Sequence, residues 1–351
     1  MFNALQSNGT LHLDNLKCLR AAYLYNTCSH CAQLCPTNAL TLANNQRFAL
    51  DTQKCINCNA CVGVCPTEAM TTTSFDPTIF TLTFSATDEK LLSCKKNTPC
   101  LRIFNVEHWI ALGLRNEAVV CDMAHCEGCE INRDNTISTA IVQSIDEANQ
   151  FLDSIGTNKA ITKRYEKIET GRRELLKRFA KEVHELREDI GIDEIFDTHS
   201  PLPVHRQLLL NSLKKQIESI PTQRVQRAFS FTQNKTITFE RCDNCGDCVQ
   251  FCPTHALRYS DDRTKIFFAT TQCIACGICD DICKPKAFGA KEELDLVSMA
   301  FGRFETLIEH HFEICSECKV SFPQKHNETI CNRCRDFVEQ NASLFVMARD
   351  M

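Results

Sequence analysis

Most features that announce a function are missing from this sequence. None of its 351 residues fall in an apolar stretch long enough for a transmembrane helix. The opening MFNALQSNGTLHLDN has no basic n-region and no apolar h-region, so no secretory signal is expected and a cytoplasmic setting is. No G-x-G-x-x-G opens a predicted βαβ unit and no Walker A lysine motif occurs, so nucleotide binding has no support. The radical-SAM cysteine order, a three-residue gap followed by a two-residue gap, is also absent. No Ser/His/Asp or paired-carboxylate constellation can be argued, and the chain is not expected to be catalytic alone. Neither sign of charge dominates. A net charge of −5 and a pI near 6.1 give no general pull toward nucleic acid or anionic membrane. With 43% hydrophobic residues the chain can still bury real cores, and its length suits about two to four domains.

Cysteine is the residue in excess, with 25 in the chain. In a short secreted sequence that would mean disulfides, but here the thiols are expected to stay reduced. Clustered thiolates in a reducing compartment are usually metal ligands, so the expectation is a soluble metalloprotein. A long cysteine-free gap separates Cys129 from Cys242. Across it, CINCNACVGVCPTEAM (55–70) matches CDNCGDCVQFCPTHAL (242–257) through its Cys, Pro, Thr and Ala positions. The unit also recurs locally, as CSHCAQLCPTNALTL before the first and CIACGICDDICKPKAF after the second. A unit duplicated within a duplicated module is a strong organisational signal.

The type unit is Cys55-x2-Cys58-x2-Cys61-x3-Cys65-Pro66. Two-residue gaps let three thiolates converge on one cubane while nearby backbone N–H groups face the sulfurs. The proline then fixes φ and turns the chain away. On these motifs, residues 10–75 and 229–290 resemble bacterial-type dicluster ferredoxin modules in tandem, as in a polyferredoxin. The resemblance implies four 4Fe–4S clusters, the fourth cysteine of each run serving the other cluster of its module. The first would use Cys18, Cys28, Cys31 and Cys65, and the second Cys55, Cys58, Cys61 and Cys35. Cys242, Cys245, Cys248 and Cys283 would hold the third, and Cys273, Cys276, Cys279 and Cys252 the fourth. Two departures stand out. Cys18 precedes Cys28 by nine intervening residues where the family has two, and in CKP (283–285) the proline comes one residue late. Cys18 reads as a displaced ligand, with LRAAYLYN inserted behind it; the alternatives are a buried thiol or a three-cysteine 3Fe–4S site. The late proline should change the exit turn and leave the ligand alone.

Between the modules, Cys94, Cys100, Cys121, Cys126 and Cys129 form the array C-x5-C-x20-C-x4-C-x2-C. Residues 76–157 read as a small α/β unit, with strands at 80–86, 90–94 and 117–123 and helices at 106–115 and 139–155. Cysteines at the carboxyl ends of neighbouring strands can converge in the crevice where α/β sheets place ligands. The segment resembles the delta subunit of methyl-viologen-reducing hydrogenases. That implies an additional iron–sulfur centre, 2Fe–2S or 4Fe–4S, although a zinc site or a disulfide fits the cysteines too. His125 is an alternative ligand or a surface histidine.

The last block, Cys315-x2-Cys318-x12-Cys331-x2-Cys334, has the spacing of a tetrahedral thiolate site. Lys319 and Arg335 follow its knuckles where rubredoxin-type iron sites carry glycine, so Zn2+ is expected, without help from His310, His311 or His326. From 160 to 189 the pattern predicts one long amphipathic helix with Arg172, Arg173, Lys177, Arg178 and Lys181, read as a solvated face or a docking strip for an acidic redox partner. A further helix is predicted over 206–220.

The expected architecture is therefore α+β and multi-domain. Two ferredoxin-like dicluster modules (10–75 and 229–290) flank a small α/β domain (76–157) and a helical linker (158–228), with a zinc-ribbon-like tail (300–351). The expected function is single-electron relay between redox partner proteins, in the company of an oxidoreductase such as a formate dehydrogenase or hydrogenase. No nucleic acid is expected as a partner. A metallocentre maturation factor and a redox-sensing regulator are the alternatives.

Overall fold

The computed structural model describes residues 10–167, 196–197 and 199–341. Module one is made of strands only three residues long. β1 (Leu11–Leu13) pairs antiparallel with β4 (Met70–Thr72), and β2 (Leu40–Leu42) with β3 (Phe48–Leu50). Leu11, Leu40 and Met70 bury with Cys61 into a very small core. So little apolar area cannot hold a fold by itself, and small domains of this kind depend on metal for stability.

The central domain is a parallel sheet of three strands, β5 (Leu91–Leu92), β6 (Val119–Asp122) and β7 (Ile161–Arg164), in that order. Its helices are α1 (Pro77–Phe84), α2 (Val106–Arg115), α3 (Thr136–Ser154) and α4 (Val204–Gln216). Two expectations fail here. The segment FTLTFSA reads as a strand from its aromatic and β-branched residues, yet it lies in and just beyond α1. Pro77 occupies the first turn, and Asp76 caps it by accepting from the Thr78 and Ile79 amides at 2.9 and 3.0 Å. Thr81 and Ser85 turn their hydroxyls back onto the carbonyls of Pro77 and Thr81, so the helix leaves no hydroxyl donor stranded. The helix predicted from residue 160 opens instead as strand β7. Asn149 holds it there, accepting from the Ile161 amide at 2.8 Å and donating to the Ile161 carbonyl at 2.9 Å. Most of that predicted helix, with its basic strip from Arg172 to Lys181, lies outside the described residues.

Helix α4 covers most of the predicted 206–220 helix and packs into the central core through Leu209, Leu210 and Leu213. The same core takes Cys58 and Ala60 from module one and Leu294, Leu296 and Met299 from beyond module two, so one apolar core joins these segments to the central domain. β8 (Arg224–Gln226) leads into module two and pairs with β13 (Glu293–Asp295), which follows it.

Module two repeats the plan of module one, with β9 (Asn234–Ile237) against β12 (Phe288–Lys291) and β10 (Leu257–Tyr259) against β11 (Lys265–Phe268). β14 (Glu305–Glu309) joins as a third strand on β11. The described residues end in a hairpin, β15 (Phe312–Ile314) with β16 (Ser321–Pro323), and helix α5 (Asn332–Gln340). Among the described residues no helix is long and apolar enough to cross a membrane.

Candidate metal centres

All four ferredoxin runs finish in one backbone turn. The residue three after the last cysteine is left-handed in each: Asn38, Glu68, His255 and Lys286, with φ between 51° and 55°. That turn aims the next amide back at the sulfur. Ala39, Ala69 and Ala287 donate to Cys35, Cys65 and Cys283 Sγ, each at 3.2 Å. The late proline of the CKP run has therefore changed neither the turn nor this bond.

The thiols gather in sets. Burial first, and then Cys65, Cys28 and Cys18 beside it, push the Cys31 thiol up to about 12. Cys58 is raised to about 11 by burial and by Cys35 and Cys55. In module two, Cys248 reaches about 12 through burial and then Cys242, Cys245 and Cys283. Cys276 also reaches about 12, with Cys273 and Cys252 as its thiol neighbours. Crowded thiols of this kind resist sharing negative charge, which an iron core would neutralise. The donor set and the N–H···S bonds thus fit the clusters the runs imply. Cys18 lies within its set. Short helical turn Leu19–Ala22 follows it, and Arg20 donates from Nε to the Cys28 carbonyl at 2.8 Å, folding the insertion back onto the site. Cys18→Ala is expected to remove one cubane EPR signal from the reduced protein or convert it to a 3Fe signal; four unchanged cubane signals would refute Cys18 as a ligand.

The central array divides four to one. Cys94, Cys100, Cys126 and Cys129 line one cavity of about 340 Å³ with Asp122 and His125. Burial and then Cys94, Cys129 and Asp122 drive Cys126 up to about 12. Cys121 is not among the lining residues. It is 0% exposed inside the core, on β6 opposite Leu92 and Lys163, and burial raises its thiol with no other cysteine contributing. Strand alternation explains this, since neighbouring Asp122 takes the cavity side. His125 sits 3.7 Å from the Asp122 carboxylate.

In the tail, Cys315, Cys318, Cys331 and Cys334 bring their ligand atoms within 4.8 Å of one another, the closest such group among the described residues. The Cys318 and Cys331 sulfurs are 3.7 Å apart. Four thiolates about 2.3 Å from one tetrahedral ion would lie about 3.8 Å apart, whereas a cubane spreads its thiolates over four irons. The geometry is that of a single-ion site.

Comparisons with known proteins bear on the modules. A family described as 4Fe-4S dicluster domain matches residues 26–69, and a second of the same description matches residues 225–288. The chain carries two dicluster ferredoxin modules in tandem. It is also 33% identical over 72 residues to the ferredoxin-type protein NapH of Haemophilus influenzae. That match covers 19% of this chain and spans 25% of the relative's length. No solved structure matches. The two matched modules are thus of ferredoxin type, the kind that holds 4Fe–4S clusters.

The sequence concealed the residues that lock these modules to the central domain. Glu68, just past Cys65, accepts from the first amides of α4, Val204 at 2.8 Å and His205 at 2.9 Å. Both His205 ring nitrogens face carboxylates at 2.9 Å, Nδ1 toward Glu68 and Nε2 toward Glu107. Burial alone would lower the His205 pKa, but Glu107 and Glu68 raise it to about 10. Arg206, 0% exposed, pairs with Glu107 and donates to the carbonyls of Thr271 (3.1 Å), Cys273 (2.9 Å) and Phe231 (2.5 Å) in module two. Gly63, between Cys61 and Cys65, is the other hidden requirement. A Cβ there would meet the Arg102 carbonyl oxygen at 2.1 Å, so only glycine lets the cluster loop lie against the central domain.

Proposed function

We propose that the chain relays electrons along a fixed line of centres: central site, second cluster, first cluster, fourth cluster, third cluster. The observation that carries this is the packing of module one on module two. Leu19, from the inserted segment, buries with Ile274 and Ile278, and Cys28 and Cys276 border the same patch. Tyr23 meets Phe251 edge to face at 5.9 Å. One ligand of the first cluster therefore stands beside one ligand of the fourth. At the other end, Cys58 of the second cluster is among the groups acting on Cys100, and both share the central core. The middle centre then lies at an end of the line. In this reading Cys94, Cys100, Cys126 and Cys129 hold a fifth iron–sulfur centre, the tail quartet holds zinc, and the protein works in the cytoplasm beside a partner oxidoreductase.

Each dicluster module supplies a pair of one-electron carriers, and the buried junction keeps the pairs at one separation. Anaerobically purified protein is expected to hold about 18 to 20 iron atoms with matching sulfide and one zinc. Partial reduction should give EPR spectra broadened by coupling between the first and fourth clusters. Tyr23→Ala with Leu19→Ala should narrow those lines while iron content stays constant. Iron near 16 would remove the fifth centre, and line shapes indifferent to the double substitution would break the proposed order.

A further inference from the structure

We infer that His310 is a positioning residue for the third cluster, donating a hydrogen bond from Nε2 to the sulfur of Cys242. The inference rests on the reading of Cys242 as a ligand of that cluster. His310 Nε2 lies 3.4 Å from Cys242 Sγ, and the side chain is 2% exposed. A metal-bound thiolate has no proton to give, so the ring nitrogen facing it must carry the N–H. The other nitrogen, Nδ1, is buried without a hydrogen-bond partner. This suits the bare acceptor of a neutral ring whose one proton is on Nε2.

Residues of module two itself hold both the ring and the backbone. The imidazole stacks on Phe239 at 5.5 Å and 27°. The His310 amide donates to the Thr264 carbonyl at 2.7 Å, directly after β14 has paired with β11. On the next turn of chain, the Gln324 amide donates to the His311 carbonyl at 2.7 Å, and Lys325 Nζ reaches the Glu240 carbonyl at 3.0 Å. The hairpin that carries the four-thiol site thereby clamps the loop that delivers Cys242. A hydrogen bond to a ligand sulfur draws off negative charge, and an added electron makes that charge more costly. His310 consequently raises the reduction potential of the third cluster above that of an otherwise similar site.

The test is a redox titration of holoprotein followed by EPR, comparing His310→Phe with His310→Gln. Phenylalanine keeps the stacked ring and removes the donor; glutamine restores an N–H near the Nε2 position. In His310→Phe one cluster is expected to become about tenfold harder to reduce, roughly 59 mV for one electron, with the other potentials unmoved. His310→Gln should recover most of that shift. If all potentials in His310→Phe match the parent at full iron content, the inference is wrong. Should His310→Phe fail to fold, a titration of His310→Gln that departs from the parent by the full tenfold would also overturn it. Should the parent lack the third cluster's iron altogether, it is the reading of Cys242 that fails.

Discussion

Arg206→Met is expected to destabilise the holoprotein by about 3–5 kcal/mol, the usual cost of leaving one partner of a buried ion pair behind. The residue has 0% exposure, and its loss takes one of two buried cations from Glu107 and strands three carbonyls of module two. Chemical denaturation followed by loss of the cluster absorbance measures this, and a change below about 0.5 kcal/mol, the range of an ordinary surface substitution, would sink it. The pH dependence follows from the same groups. His205 has its pKa raised from 6.5 to about 10, so its contribution is complete below 6.5 and lost as pH rises through 10. Glu68 is held down from 4.5 to about 2: burial would raise it, but the charge and hydrogen bond of His205 win. Its contribution is complete above 4.5 and lost as pH falls through 2. His108, pressed by burial and by His205 from 6.5 to about 3, makes a contribution that fades as pH falls below 6.5. Stability should therefore peak near pH 6.5 and decline on both sides, and His205→Gln should flatten the alkaline limb.

The second large effect separates the five central cysteines. Cys100→Ala is expected to cost the whole central centre, about four iron atoms if it is a cubane, because a cavity-lining thiolate is lost. Cys121→Ala should keep all the iron and cost about 1 kcal/mol, the order of a small core truncation. Iron and sulfide quantitation decides between them. Loss of iron from Cys121→Ala with retention in Cys100→Ala would reverse the assignment.

Much of the site was legible in the chain because a ferredoxin run is local. Its cysteines are set by short gaps and one turn, so the runs Cys55 to Cys65 and Cys242 to Cys252, which lie within the matched dicluster domains, could be read directly. The same holds for the two knuckles of the tail. The central array was less legible. Its members come from separate loops and one strand, and only the alternation of β6 turns Cys121 into the core and Asp122 to the cavity. Helix α1 was misread because the composition of FTLTFSA favours a strand, whereas its start is set by Asp76 and Pro77 and its burial by Phe80 and Phe84.

The sequence by itself determined the chemistry: a chain of clustered thiols, two dicluster modules and a four-thiol tail, each written in spacings a few residues wide. Tertiary structure alone decided how those centres are arranged. Glu68, Glu107, His205 and Arg206 carry no motif, and His310 lies far along the chain from Cys242. They meet because burying a charge is costly unless a partner stands beside it, and distant segments must pack before any partner is in place.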